Sequence, residues 1–410
     1  MSSNFSPLVP GSDRDTILVL NAGSSSLKFA LFTRGPPLIA LLRGEISDLG
    51  SAPHLLAYDT GGNRLIDRVW QEPGELTFAA ALEALIAFVE KTPGHGHLSA
   101  VGHRIVHGGP DHSAPETVTP TLLTSLEALT PLDPIHMPHN LAPIRAVAKV
   151  RPGIAQVACF DTAFHRTMDD VAQRFALPKA VSDAGVRRYG FHGLSYEYIA
   201  RRLAKDVPIL ADGRVIVAHL GAGASLCALD KGTSIATTFG ISVLDGLVMA
   251  TRCGDIDPGA IFYLGRLGHS LDDIEDMLYN RSGLLGVSGI SGDIRVLLAS
   301  DQPTAREAIA LFVYRMALEF GAMASALEGL DGIVFTGGIG ENAPMIRAAV
   351  CRKLRWLGVR LDEAANEKGA FCISAKDSAV DVRVIATDEE AMIAHHVLAI
   401  TGEMPKNVAL

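Results

Sequence analysis

One unit occurs twice in this chain of 410 residues, and it limits the fold more than any other feature. The first copy is the apolar run Thr16-Ile-Leu-Val-Leu20, then Asn21-Ala-Gly-Ser-Ser-Ser26, then the alternating return Leu27-Lys-Phe-Ala-Leu-Phe32. About two hundred residues on comes Arg214-Val-Ile-Val-Ala-His219, then Leu220-Gly-Ala-Gly-Ala224, then Ser225-Leu-Cys-Ala-Leu229. A continuous apolar run is a strand buried on both faces, alternation is a half-buried strand, and glycine between them closes a hairpin. Two copies of such a unit imply two domains of one design. The length agrees, since roughly 150 residues per domain gives two or three domains, each able to hold a core.

Between and after the hairpins the pattern alternates helix and strand. Helices are predicted over Leu76–Lys91, Thr121–Leu129, Asn140–Val150, Pro258–Leu267, Leu271–Leu278 and Pro303–Leu327. Buried strands are predicted over Ala155–Phe160, Asp331–Thr336 and Asp381–Ala386, with further helices starting near Ala343 and Glu389. Strands followed by long helices define an α/β chain, whose ligands bind at strand ends.

Composition narrows the function. With 36 Lys+Arg against 45 Asp+Glu, the formal charge is −9, which excludes a nucleic-acid coat because phosphate backbones require a basic face. The chain is 48% hydrophobic and 20% charged, so bulk disorder is excluded too. Five scattered cysteines without a CxxC pair indicate neither a disulfide framework nor a zinc cluster. The first fifteen residues lack the basic and apolar regions of a signal peptide, and no uninterrupted apolar run reaches a membrane span's ~18 residues. A cytoplasmic protein without membrane partners is expected.

Glycine is in excess, 40 of 410 against a usual ~7%. Gly23, then Gly221 and Gly223, then Gly337, Gly338 and Gly340 all follow buried strands. A glycine there most often only makes a turn, but it also lets backbone N–H groups approach an anion with no Cβ in the way. Neither the Walker pattern nor a GxGxxG opening a βαβ unit occurs. Arg104, Asp161, His192 and Arg252 lie at strand or loop ends among glycine and apolar neighbours. Each alone reads as a solvated charge or a core histidine. Together with His219 and Glu389 they supply the fixed positive charge and metal-binding carboxylates that phosphoryl transfer needs. His95 and His97 read as a surface loop.

Nine segments carry a resemblance. LNAGSSSLKF, HRIVHGG, FDTAFH, RYGFHGLS, HLGAGASL, TRCGDIDPG, SGDIR, FTGGIGEN and TDEE stand in order from Ile17 to about Glu390. The chain thereby resembles the acetate kinase family, in the actin, Hsp70 and sugar-kinase superfamily. The resemblance implies two duplicated ribonuclease-H-like α/β domains facing a cleft. The N-terminal domain would be residues 1–162 completed by 391–410, and the second 163–390. It implies reversible, in-line transfer of the ATP γ-phosphoryl group to acetate or propionate, in a homodimer that uses Mg²⁺ or Mn²⁺. Asn21 and Glu389 would hold the metal. Arg104 and Arg252 would bind the carboxylate and the moving phosphoryl group, and His192 and His219 would stabilise the transition state. Asp161 falls on the family's proton donor/acceptor position, but phosphorylating a carboxylate removes no hydroxyl proton, so positioning the metal or an arginine is the better role. His219, Gly221 and Gly223 fall on the phosphate segment. Asp293, Ile294 and Arg295, with Gly338, Ile339, Gly340, Glu341 and Asn342, fall on the adenosine segments. Val106, Ile135, Phe191 and Val243 would line the acyl pocket.

The chain departs from the family pattern in places. Ala222 and Ala224 stand where asparagine and serine are usual, Val243 where a proline is, Met137 where an asparagine is, and Cys253 where serine is common. Two rival readings remain open from sequence. One is a kinase preferring propionate or butyrate. The other is a nucleotide-driven conformational ATPase like actin, although those start their first phosphate loop with aspartate where this chain has Asn21.

Overall fold

The structure, a computed structural model, describes residues 15–23, 26–49, 52–70, 78–92 and 95–402. The N-terminal lead-in, Ser24 and Ser25 of the first turn, the start of the helix expected from Leu76, and residues 403–410 lie outside the described residues. The chain divides into two compact units, Met1–Ala163 with Asp388–Ala409, and Phe164–Thr387.

In the first unit β1 (Asp15–Ala22) and β2 (Leu27–Thr33) form the antiparallel hairpin, with Ala22 opposite Leu27. Beyond β2, the strands β3 (Ala40–Ser47), β4 (His54–Asp59) and β5 (Arg64–Val69) continue antiparallel. On the other side β6 (His97–Ile105) runs parallel to β1. The two-residue β7 (Glu116–Thr117) and β8 (Ala155–Phe160) follow, β8 parallel to β6 and β7 antiparallel at the edge. The second unit repeats the plan. β9 (Arg214–Leu220), β10 (Ala224–Asp230) and β11 (Thr233–Thr237) are antiparallel, while β12 (Gly332–Thr336) and β13 (Asp381–Val384) extend the sheet parallel to β9. Without β4, β5 and β7, both sheets run third-second-first-fourth-fifth in chain order. The repeated sequence unit is therefore the hairpin that starts each mixed sheet.

Burial on both faces explains the continuous apolar runs. Leu18 and Leu20 of β1 pack with Leu82, Leu85 and Ile86 of helix Phe78–Lys91 and with Val147 of helix Met137–Val150. On β6, a Cβ at Gly102 would strike Ile393 and Val397 of helix Glu389–Thr401 at 2.5 and 2.8 Å, so only glycine admits that helix. In the second unit Val215 and Val217 pack with Tyr196, Ile199 and Leu203 of helix Gly193–Asp206. Among the described residues one helix, Pro303–Ala326, is long and apolar enough to cross a membrane by length and composition. Its Phe312, Met316 and Phe320 are buried, and Phe320 meets Phe335 of β12 with ring centroids 6.2 Å apart.

Two expectations are corrected. The helix expected from Asn140 starts at Met137, because Pro138 sits in its first turn, where the missing N–H costs nothing. His95 is not on a surface loop: it is buried edge-on against Phe88 at 6.5 Å, and burial lowers its pKa.

Candidate active site

The parallel strands β1, β6 and β8 end side by side, so the residues at their C-terminal ends are neighbours by construction. Leu20 pairs with His103 and Ile105 with Phe160, which brings Asn21, Arg104 and Asp161 together. Arg104 donates from Nε to Asp161 Oδ2 at 3.0 Å and from Nη2 to the same oxygen, and from Nη1 to Asn21 Oδ1 at 3.2 Å. Glu389, first residue of its helix, approaches Arg104 Nε to 3.8 Å. Burial pulls the Arg104 pKa down, but the charges of Asp161 and Glu389 outweigh it and raise the pKa above its ordinary value. Burial raises Glu389, helped by Asp161 and Glu390 and opposed by Arg104.

Asp161 is fully buried, and its Oδ1 has no hydrogen-bond partner. A bare buried carboxylate oxygen is costly unless a ligand meets it. Among the described residues no group of three or more His, Cys, Asp or Glu side chains could hold a metal. Asn21, Glu389 and the bare Asp161 oxygen are nonetheless hard oxygen donors. Mg²⁺ usually takes only one or two protein carboxylates and completes its octahedron with water and substrate phosphate, so this set fits that ion.

The second unit gathers a different set. Its first glycine turn, Gly221–Gly223, joins β9 to β10. A Cβ at Gly223 would stand 3.3 Å from His192 Nε2 and 3.6 Å from Arg252 Nη1, and one at Gly221 3.9 Å from His219 Nε2. Arg252 Nη1 donates to the Val243 carbonyl at 3.4 Å. His192 sits at φ +60° at the start of helix Gly193–Asp206, and its ring lies 4.1 Å, centroid to centroid, from that of His219. Phe191 is buried edge-on to Phe239 at 5.7 Å.

A cavity of about 730 Å³ opens beside the same turn. Gly221 and Ala222 form one side, Asp293, Ile294 and Arg295 another, and Gly338, Ile339 and Asn342 a third. All three segments proposed from sequence for the nucleotide thus meet in one place. Four of their residues are not in its lining: His219 and Gly223, which stand at the histidine side of the turn, and Gly340 and Glu341. Gly340 is buried, and its carbonyl accepts from Arg347 Nη1 at 2.9 Å. Glu341 turns inward, where Oε1 accepts the N–H of Gly337 at 2.8 Å and of Thr387 at 3.2 Å. Asp293 and Arg295 pair with each other, which lowers the Asp293 pKa to about 2. In the first unit Val106 is buried and Ile135 half-buried.

Comparison with known proteins gives this geometry a family. The profile of the Acetokinase family matches residues 16–395. The chain belongs to the acetokinase family. An acetate kinase of Rhodopseudomonas palustris (strain TIE-1) is 53% identical over 391 residues, covering 93% of this chain and 98% of that one. An acetate kinase of Rickettsia prowazekii (strain Madrid E) is 39% identical, covering 94% and 99%. Among solved structures, a propionate kinase from Francisella tularensis superposes with TM-score 0.87 at 36% identity, covering 93% and 98%. Porphyromonas gingivalis acetate kinase superposes with TM-score 0.84 at 36% identity, covering 94% and 100%. As an acetokinase the chain is an α/β phosphotransferase with a carboxyl group as acceptor.

Several residues that build this acetokinase site escaped the sequence reading. Asn140 accepts the Val106 N–H at 2.7 Å and donates to the Ala22 carbonyl at 2.9 Å, tying the end of β1 to the Val106 turn. Its signal was an asparagine on the apolar face of a helix. Arg347, only 1% exposed, holds the carbonyls of Gly340 and Glu341 and so fixes the short helix Gly337–Asn342, which stands where the sequence suggested a third glycine turn. Arg188 donates to the carbonyls of Thr238 and Phe239 and to Asp245, at 2.7 to 3.0 Å, bracing the loop that carries Val243.

Proposed function

We propose that this acetokinase transfers the γ-phosphoryl group of ATP to acetate, or to propionate, giving acyl phosphate and ADP, reversibly and in the cytoplasm. A carboxylate oxygen attacks the γ-phosphorus in line, the bond from phosphorus to the bridging oxygen breaks, and ADP leaves with those electrons. No proton has to move. Arg104 and Arg252 bind the carboxylate and the phosphoryl oxygens, and His192 and His219 donate to the charge that builds on those oxygens. Asp161 orients Arg104, and with Asn21 and Glu389 it would hold Mg²⁺, which supplies charge neutralisation of the phosphates when bound. The Gly221–Gly223 turn, with no side chain in the way at either glycine, would take the phosphates, and the cavity lined by Asp293, Ile294, Arg295, Gly338, Ile339 and Asn342 takes the nucleoside. We assign the acyl group to Val106 and Ile135 of the first unit and to Phe191 and Val243 of the second, apolar residues whose size suits a methyl or ethyl group.

One observation carries the reading. The Gly221–Gly223 turn serves two neighbours at once, the cavity through Gly221 and Ala222, and the His192 and Arg252 side chains through Gly223. A phosphate chain lying along it would place its terminal group at the two charged or polar donors. The test is acyl phosphate trapped as hydroxamate from ATP, Mg²⁺ and a panel of acids from two to four carbons. Hydroxamate with acetate or propionate is expected, and ADP release indifferent to any acid would replace this reading with a conformational ATPase. We also propose a homodimer. Helix Pro258–Arg266 has no buried residue and exposes Phe262 and Tyr263, as neighbouring Leu267 and Leu271 are exposed, and a second copy would cover them.

A further inference from the structure

The two imidazoles at the glycine turn are held in the same manner by different residues. His192 Nδ1 lies 2.9 Å from Ser225 Oγ, and that oxygen lies 2.5 Å from Tyr196 Oη. His219 Nδ1 lies 2.8 Å from Ser195 Oγ, and that oxygen lies 2.8 Å from Thr387 Oγ1. Ser195 and Tyr196 are consecutive in the first turn of helix Gly193–Asp206, while Ser225 sits opposite His219 across the β9–β10 hairpin. In both chains Nδ1 takes the serine, and Nε2 faces the glycine turn.

Each serine has one proton, so each chain has a direction. If the outer hydroxyl donates to the serine, the serine donates to Nδ1, and the ring's own proton resides at Nε2. The reverse direction puts the ring proton at Nδ1 and leaves a neutral ring with an acceptor at the turn, where it would repel an anion. Burial raises the Tyr196 pKa well above its ordinary value, so the phenol keeps its proton and can donate it toward Ser225. Thr387 is set in place through its backbone N–H to Glu341 Oε1. Two imidazolium rings with centroids 4.1 Å apart would repel each other, and Arg252 Nη1 shares the Gly223 position with His192 Nε2, so a doubly protonated pair is disfavoured.

We infer that Ser225 with Tyr196, and Ser195 with Thr387, are positioning residues that hold His192 and His219 as neutral Nε2–H tautomers, each presenting a donor to an anion at the Gly221–Gly223 turn. The inference rests on the phosphoryl-transfer reading for its consequence, but not for its geometry. Thr387→Val keeps the volume and removes the hydroxyl, and Thr387→Ser restores it. Long-range ¹H–¹⁵N spectra of the full chain labelled at histidine report the tautomers without any substrate, His192 and His219 being assigned from His192→Asn and His219→Asn. The wild type is expected to show both rings as Nε2–H. Thr387→Val is expected to mix the His219 tautomers, leave His192 unchanged, and lower kcat about 10- to 100-fold, below the 10²–10³ of deleting an oxyanion donor outright. KM should stay within about twofold, the acid limb of the kcat profile should move, and Thr387→Ser should recover most of the rate. Nδ1–H tautomers or imidazolium rings in the wild type at neutral pH would overturn the inference. So would equal losses in Thr387→Val and Thr387→Ser. A wild type that makes no acyl phosphate would defeat the proposed function and leave the spectra to decide the tautomers.

Discussion

Arg104 gives two hydrogen bonds to one oxygen of Asp161, and the other oxygen of that fully buried carboxylate has no hydrogen-bond partner. The pair is a structural cost kept at the end of two parallel strands. A buried ion pair adds little net stability, yet removing one member leaves a bare buried charge. Arg104→Met is therefore expected to lose about 3–5 kcal/mol of unfolding free energy as well as turnover. The double variant Arg104→Met/Asp161→Asn should recover part of the stability and none of the activity. Urea unfolding and hydroxamate formation measure the two halves separately. A stable, active Arg104→Met would contradict the assignment.

Gly223 is required by its neighbours. Its φ lies outside the left-handed region, and an added Cβ would press on His192 Nε2 at 3.3 Å and sit 3.6 Å from Arg252 Nη1. Gly223→Ala should leave the thermal midpoint within a few degrees, because the crowded atoms can give by tenths of an ångström. Yet kcat should fall by about tenfold or more, since small misplacements of transition-state donors are expensive. Equal kcat in the variant would separate this turn from the reacting atoms.

His103 makes stability depend on acid. It is buried on β6, with Nε2–H donating to Gln156 Oε1 at 2.8 Å, and burial pushes its pKa down to about 4 despite that bond. The unfolded chain binds this proton near 6.5 and the folded chain near 4, so the unfolded state holds more protons between those values. Stability from this group is thus lost as pH falls from about 6.5 to 4. His103→Gln keeps an amide donor for Gln156 and cannot titrate. The unfolding free energy of wild type minus that of the variant should fall steadily on acidification, a difference in which other groups, including Glu389, cancel. A flat or rising difference would refute the neutral, buried His103.

Val243 tests the acyl pocket. It is buried, and its carbonyl accepts from Arg252, so shortening the side chain leaves that bond in place. One or two methylenes of extra room are worth about 1–3 kcal/mol in an apolar pocket. Val243→Ala should raise kcat/KM for propionate and butyrate relative to acetate by about tenfold. An unchanged ratio would take Val243 out of the pocket.

Much of this was legible in the sequence for physical reasons. Runs such as Val215-Ile-Val-Ala218 are apolar at every position because both sheet faces are covered, and the glycine after each run marks where the strand must turn. The two mixed sheets follow from that repeat. What the sequence hid depends on register. Arg104 meets Asp161 only because β6 and β8 are adjacent and end level, and nothing in the intervening 56 residues states that alignment. Ser225 reads as a small residue in an apolar strand, and its value appears only when His192 arrives from another element. Glu341 sits in a nucleotide segment but points the other way, because the N–H groups of Gly337, which opens the short helix Gly337–Asn342, and of Thr387 take its carboxylate as their acceptor.

The central claim is direct transfer from ATP to a carboxylate oxygen, and ¹⁸O reports it most directly. With ATP, Mg²⁺ and doubly ¹⁸O-labelled acetate, ³¹P spectra should show acetyl phosphate whose phosphorus bears one ¹⁸O, formed one for one with ADP. ADP produced at the same rate without acetate, and no ¹⁸O bonded to phosphorus, would contradict the account.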